Sequence, residues 1–137
     1  MIQPVMIKLQ NEGDIITIRA RAREFTQLIG FSLNDQYRID LCILELAHNV
    51  LLYAGEGTIS LEIIHKGTTP GLQITCRDHG PGIVDCQQAL IDGWSTRSSL
   101  GLGLPSIQRL TDDFRLNSSD GKGTTVVIQK WLEHKSN

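Results

Sequence analysis

The chain has 137 residues, 40% of them hydrophobic and 20% charged, and its formal net charge is −2. This length and composition predict one globular domain over residues 1–137, with enough chain to bury a sizeable core. The slightly acidic balance argues against nucleic-acid binding, and no apolar run reaches the length of about 20 residues that crosses a membrane. Without a recognisable signal peptide or a paired cysteine motif, we expect a cytoplasmic protein whose three cysteines are free thiols.

The first half of the chain predicts one strand and two helices. Residues 4–10 alternate weakly and predict a strand, after which Asp14 is the expected N-cap of a helix over residues 15–29. Asn34 or Asp35 is the expected cap of a second helix, which ends at the stretch AGEG. This second helix carries the first polar pair of interest.

The second half predicts two hairpins separated by a loop and a helix. TISLEIIHK and GLQITCRDH alternate in hydrophobicity and are joined by GTTPG, which predicts a hairpin. PGIVDCQQALIDGW is compatible with a short helix, STRSSLGLGLPS has the composition of a loop, and PSIQRLTDDF predicts a third main helix. RLNSS and GTTVVIQKWL predict the closing hairpin. This order favours a two-layer α/β sandwich (α+β) over a doubly wound parallel sheet.

The apolar helix LCILELAHNVLLYAG contains an acid and an amide, Glu45 and Asn49. Four residues turn a helix by about 400°, so the two side chains share one face. Their oxygens suit a divalent cation or the positioning of a nucleophile. A polar stripe on a half-exposed helix explains the same spacing, so the pair alone leaves both interpretations open.

The stretch CRDHGPGI places Asp78 at the end of a strand, with Gly80 and Gly82 after it at DxGxG spacing. A carboxylate accepts hydrogen bonds from an exocyclic amino group such as that of adenine, and glycines let the backbone approach a ring closely. Asp, Gly and Pro are also ordinary turn residues, so a simple turn is an equal alternative for this stretch alone.

Two further glycine motifs follow. In SLGLGLPSI, Gly101 and Gly103 lead into a helix start, where backbone N–H groups suit phosphates. A dinucleotide-binding interpretation is rejected because a Ser-rich loop, not a strand, precedes the glycines, and no Walker A motif is present. In GKGTTVVI, Gly123 and Thr124 begin the last strand, where the hydroxyl of Thr124 could support Asp78 through a water, although a plain hairpin start is the stronger interpretation of this stretch alone.

The order and spacing of these motifs resemble the GHKL ATPase/kinase superfamily almost end to end. Within it, ELAHNVLLYAGEG, DHGPGI, DGWST, LGLGLPSIQRL and GKGT are most similar to the bacterial serine/threonine kinases of partner-switching pathways, the RsbW/RsbT group, and especially to RsbT-type switch kinases of the stressosome. The resemblance implies the Bergerat-type ATP-binding fold, with a mixed, mostly antiparallel sheet and helices on one face.

The resemblance also implies ATP and Mg²⁺ as cofactors. Asn49 would hold Mg²⁺, and Glu45 would be the general base for a substrate hydroxyl. The adenine pocket would be formed by Asp78, Gly80, Gly82, Ile83 and Thr124. The phosphates would be capped by Leu100, Gly101, Leu102, Gly103 and Leu104. Residues 85–99 would form a mobile lid, in which Arg97 is matched only loosely as a contact to the γ-phosphate.

By the same resemblance, the acceptor lies on another protein, since the chain has no room for a phospho-acceptor His on a dimerisation helix. The implied partners are STAS-domain antagonist and scaffold proteins and a PP2C-type phosphatase. Alternatives are an anti-sigma-factor kinase, whose partner is a sigma factor, and a nucleotide-gated interaction module with little catalysis. A basic cluster, Arg19, Arg21 and Arg23, suggests either contact with an acidic partner or a solvated helix face.

Overall fold

The structure, a computed structural model, describes residues 2–80, 103–118 and 121–133. Its sheet has five strands in the order β1-β2-β3-β5-β4, and all four pairings are antiparallel. The strands are β1 (Val5–Leu9), β2 (Gly57–Lys66), β3 (Thr69–Asp78), β4 (Asp113–Ser118) and β5 (Thr124–Trp131). The helices are α1 (Glu12–Ile29), α2 (Leu33–Tyr53) and the short α3 (Leu104–Leu110).

The helices pack on one face of the sheet, which confirms the predicted two-layer sandwich. Alternate residues of each strand point to this face and are buried under α1 and α2, because side chains of a strand alternate between its faces. The shared core includes Leu9, Ile18, Phe25, Ile43, Leu46, Ile59, Leu61, Ile74 and Ile128. The other face of the sheet carries mostly polar residues.

The predicted caps of both long helices are wrong by a few residues. Helix α1 is capped by Asn11, whose side chain accepts from the backbone N–H of Asp14. Asp14 is instead the third helical residue, and its carboxylate accepts a hydrogen bond from the backbone N–H of Asn11, which completes a capping box. Helix α2 is capped by Ser32, so Asn34 and Asp35 already lie inside it.

Two other boundaries differ from prediction. Helix α3 ends at Leu110, and Asp113 and Phe114, predicted to be helical, begin β4. The turn of the first hairpin is confined to Gly67 and Thr68, because Thr69 already pairs with Lys66. The short helix predicted within PGIVDCQQALIDGW lies outside the described residues.

Cys42 and Cys76 are buried free thiols, as predicted, while Cys86 lies outside the described residues. Burial raises the pKa of each thiol to about 12, which makes both unreactive packing residues. In the described part of the chain, the helices are too short or too polar to cross a membrane.

Candidate ATP-binding and phosphotransfer site

The C-terminal half of α2 places Glu45 on the core side of the helix and Asn49 one turn later. Glu45 is only 2% exposed, whereas Asn49 is half-buried. Oε2 of Glu45 is inaccessible to solvent and has no hydrogen-bond partner among the described residues. A buried polar atom without a partner costs about 1–3 kcal/mol, so a purely structural role does not explain this acid.

Burial raises the pKa of Glu45 above its ordinary value, and the charge of His48 one turn away opposes that shift. Nε2 of His48 lies 3.4 Å from Oε2 of Glu12, at the start of α1. A carboxyl group with a raised pKa accepts a proton more readily, which is what a general base requires.

The end of α2 is in direct contact with the strand end that carries Asp78. Gly57, the first residue of β2, pairs with Asp78, and a Cβ at Gly57 would lie 2.9 Å from Cγ1 of Val50 and 3.3 Å from Cβ of Asp78. A Cβ at Gly80 would lie 2.6 Å from Cβ of Ala54, the C-cap of α2. These close approaches, which only glycine permits, bring the helix of Glu45 and Asn49 against the DxG stretch.

Asp78 is half-buried, and its Oδ1 accepts a 2.9 Å hydrogen bond from the backbone N–H of Gly80. This local turn agrees with the turn interpretation of the sequence, and it also fixes the carboxylate at the end of β3. The two interpretations are therefore compatible, because one oxygen orients the group while the carboxylate keeps further acceptor positions.

Gly123 lies directly on the backbone of Asp78. A Cβ on Gly123 would be 2.3 Å from the carbonyl oxygen of Asp78, and the φ of Gly123 is +79°, which side chains rarely adopt. Thr124 pairs with Asp78 across β3 and β5, so the motifs DxG and GT meet in space as the sequence implies. Support of Asp78 by the Thr124 hydroxyl through a water stays a prediction.

Ser118, which was not predicted, lies beside Thr124 on the neighbouring strand. It pairs with Thr124 across β4 and β5, the two hydroxyl oxygens are 2.8 Å apart, and the Ser118 hydroxyl also donates to the carbonyl oxygen of Gly123. Gly57, Asp78, Thr124 and Ser118 therefore line up across four neighbouring strands on the helix-covered face. Only the register of the last hairpin identifies Ser118, and the loop SSDGKG does not specify that register.

Gly103 and Leu104 are the only predicted phosphate-cap residues that the structure describes. Gly103 is the N-cap of α3, its carbonyl oxygen accepts from the N–H groups of Ser106 and Ile107, and Leu104 is the first helical residue. Gly103 has an ordinary negative φ of −129°. The remaining predicted residues, Gly82, Ile83, Arg97, Leu100, Gly101 and Leu102, lie outside the described residues, as does the predicted lid.

The described residues fit a nucleotide with its cation. The orphaned Oε2 of Glu45 and the amide of Asn49 lie in the C-terminal half of α2, whose end packs closely against Gly57 and Gly80. Mg²⁺ is bound in proteins through one or two oxygen ligands plus substrate phosphates, so a single protein amide is a suitable donor set. No cluster of three or more His, Cys, Asp or Glu side chains suited to a metal occurs among the described residues.

Comparison with known proteins identifies the family of the chain. Residues 9–130 match the family model described as "Histidine kinase-like ATPase domain". The chain is 43% identical over 126 residues to the serine/threonine-protein kinase RsbT of Bacillus subtilis, covering 92% of this chain and 95% of the relative. It is 26% identical over 121 residues to the anti-sigma F factor of Anoxybacillus flavithermus, covering 83% and 82% of the two chains.

A solved structure of the RsbU and RsbW domains of Rv1364c from Mycobacterium tuberculosis superimposes with a TM-score of 0.69 at 20% identity. That match covers 99% of this chain but 34% of the longer one, and at this identity it supports the fold alone. The matched family model and the relative from Bacillus subtilis are sufficient for assignment. The chain belongs to the histidine kinase-like ATPase domain family and, within it, to the RsbT-type protein serine/threonine kinases.

Proposed function

We propose that this kinase phosphorylates a serine or threonine of a STAS-domain antagonist in a bacterial stress-signalling partner switch. Once released, it binds and activates a PP2C-type phosphatase. The observation that carries the site assignment is the buried, unpartnered Oε2 of Glu45 on the helix whose end packs against Asp78 and Gly80. The partner classes rest on the similarity to RsbT and to anti-sigma F factors, both typical of partner switching.

In the proposed reaction, Glu45 accepts the proton of the substrate hydroxyl as that oxygen attacks the γ-phosphorus of ATP; the bond from this phosphorus to the β,γ-bridging oxygen breaks, and ADP leaves. Phosphoryl transfer depends mainly on alignment and charge neutralisation, so one positioned base and one cation are sufficient. Asn49 would hold Mg²⁺, which when bound neutralises charge on the phosphates. The low-dielectric surroundings of Glu45 favour its protonated form and so favour proton uptake.

The nucleotide is proposed to lie along the row of strand ends. Asp78 accepts a hydrogen bond from the amino group of adenine, Gly80 and Gly123 allow the close packing that holds the Asp78 backbone in place, and the Thr124–Ser118 hydroxyl pair borders Asp78. Gly82 and Ile83 are proposed to extend this pocket. The segment Leu100–Leu104 is proposed to cap the phosphates, with Arg97 as a lid contact. We further propose that residues 1–137 form a single domain acting in the cytoplasm.

The test is transfer of label from γ-labelled ATP to a purified STAS-domain partner in the presence of Mg²⁺. We expect labelled partner with the wild-type chain and none with Asn49→Ala or Asp78→Ala. Glu62→Ala, an exposed acid on the open face of the sheet, is the matched control and is expected to retain activity. Label transfer that survives both site variants would contradict the site.

A second candidate, an anti-sigma-factor kinase, is favoured by the 26% identity to an anti-sigma F factor. A pull-down from the source cytoplasm separates the two. Recovery of a PP2C-type phosphatase and STAS proteins supports the leading proposal, and recovery of a sigma factor supports the alternative. A Glu45→Ala variant that still switched normally between partners would instead indicate a nucleotide-gated interaction module.

A further inference from the structure

A groove of about 320 Å³ lies between the C-terminal half of α1 and the N-terminal half of α2, away from the site described above. Its walls include Arg19, Arg23 and Gln27 from α1, and Leu33 and Tyr37 from α2. Tyr37 precedes Glu45 by eight helical residues, about 12 Å along the axis at 1.5 Å per residue. The groove is therefore separate from the proposed nucleotide pocket.

Several polar side chains that line the groove are hydrogen-bonded within the fold. Arg19 forms a bidentate salt bridge with Asp40, with Nε–Oδ1 and Nη2–Oδ2 distances of 2.8 Å each. The buried hydroxyl of Thr26 donates to the carbonyl oxygen of Arg23. Arg21, the third basic residue of α1, does not line the groove and pairs with Glu24 at 3.4 Å.

Arg23 is exposed and has no ion pair among the described residues. Because the charges of Arg19 and Asp40 cancel, Arg23 leaves this groove with one uncompensated positive charge on a chain whose net charge is −2. The predicted basic cluster is therefore reduced by folding to a single available cation. Its natural complement is a carboxylate.

Two large apolar side chains stand at the rim of the same groove. Leu33 is 82% exposed and Tyr37 is 64% exposed, and they lie one helical turn apart on α2. Single exposed apolar residues are common, but here the pair adjoins a concavity and an unpaired arginine. Tyrosine and arginine are also enriched among the residues that dominate binding energy at protein interfaces.

We propose that this groove binds an amphipathic helix of a partner protein, with a carboxylate that pairs with Arg23 and an apolar side chain, one turn away, that packs on Leu33 and Tyr37. The groove between two antiparallel helices accommodates a third helix, and anchors one turn apart match the spacing of Leu33 and Tyr37. The inference does not depend on phosphotransfer, so its failure leaves the proposed function untouched.

The test starts from a display library of helical peptides, randomised on one face and selected against the full chain. We expect selected peptides to carry Asp or Glu one turn from Leu, Phe, Tyr or Trp. In fluorescence anisotropy, the selected peptide should bind Arg23→Glu and Tyr37→Ala at least tenfold more weakly than wild type. A matched peptide with Lys in place of its acid should regain binding to Arg23→Glu.

Arg115→Glu is the control, since Arg115 is exposed on the open face of the sheet and should leave binding unchanged. Each variant is first compared with wild type for ATP binding and thermal midpoint, which establishes that it is folded. A selection without binders, selected peptides without the acid, or equal binding to wild type and Arg23→Glu would each overturn the proposal.

Discussion

Two buried acids of α2, ten residues apart, have opposite surroundings. Asp35, near the start of the helix, is 6% exposed; its Oδ1 accepts from Arg38 at 2.8 Å and lies 3.8 Å from Nζ of Lys130. Glu45, just past the middle of the helix, is 2% exposed, and its Oε2 has no hydrogen-bond partner among the described residues. The same helix therefore carries one acid that the fold satisfies and one that it leaves without a described partner.

The acid at the satisfied end belongs to a small ionic cluster. Lys130 reaches from β5 to both Asp35 and Asp112, at 3.8 Å from each, and its side chain is only 12% exposed. This cluster ties the start of α2 to the sheet and to the segment before β4. Its role is to hold the two layers together, whereas the C-terminal end of α2 packs through close contacts at Gly57 and Gly80.

From this contrast between Asp35 and Glu45, we expect the largest effect on substitution of Glu45. Replacing it with Gln keeps the shape but removes the base, so phosphoryl transfer should fall by about 10²–10⁴-fold. ATP affinity should change little, and the thermal midpoint should stay the same or rise, because an unpartnered buried charge is removed. Single-turnover kinetics and thermal unfolding of the same preparation measure both. Unchanged transfer together with a lowered midpoint would make Glu45 a structural residue like Asp35.

Asp35→Asn should have the reverse profile. Weakening the pair with Lys130 should lower the free energy of unfolding by about 2 kcal/mol, less than for a fully buried pair because Arg38 is half exposed and Asp112 remains. Urea unfolding measures this change, and ATP affinity should be retained. In the double variant Asp35→Asn/Lys130→Met, part of the stability lost in Asp35→Asn should return. A free energy of unfolding equal to the wild-type value in the double variant would show that the cluster contributes nothing to stability.

Asp78→Asn should weaken ATP binding at least tenfold, equivalent to about 1.4 kcal/mol, with little loss of stability. The amide oxygen of Asn can still accept from the N–H of Gly80, so the turn is retained while the carboxylate for the adenine amino group is lost. Isothermal titration with a non-hydrolysable ATP analogue is the measurement. Asp113→Asn, at the far end of β4, serves as control; equal losses in both variants would argue against an adenine site at Asp78.

A smaller effect is expected in the pH dependence of stability. Because the pKa of Glu45 is raised, the folded chain binds its proton more tightly than the unfolded chain does. Stability from this group is therefore present at pH values below the ordinary glutamate pKa and declines as pH rises from there to the raised value. Across this pH window, the free energy of unfolding should decline more steeply with rising pH for wild type than for Glu45→Gln. Parallel curves for the two proteins would mean that Glu45 is not desolvated.

The sequence was sufficient for the fold, and the reasons are physical. Hydrophobic periodicity identifies α1 and α2, and β-branched alternation identifies the hairpins, because burial of one face dictates both patterns. The N-caps were misplaced because Asn, Asp and Ser near a helix start all suit capping, and only backbone geometry selects Asn11 and Ser32. Glu45 and Asp78 became candidate site residues because polar residues in apolar or glycine-rich stretches need an explanation.

What the sequence missed depends on contacts between distant segments. Ser118 joins the row of Asp78 and Thr124 through strand register, and Gly57 matters because Val50 and Asp78 approach it. Neither relation has a local signal. The division of the basic residues of α1 into paired Arg19 and unpaired Arg23 likewise depends on where α2 places Asp40.

The most direct test of the central claim, that the available polar end of α2 faces the nucleotide and its cation, is the Mg²⁺ dependence of ATP binding in Asn49→Ala. Calorimetric titrations with Mg²⁺ and with EDTA are compared for wild type and variant. The account predicts that Mg²⁺ strengthens binding to wild type at least tenfold and that this increment disappears in the variant, while binding in EDTA is equal for the two. An undiminished Mg²⁺ increment in Asn49→Ala would contradict the account.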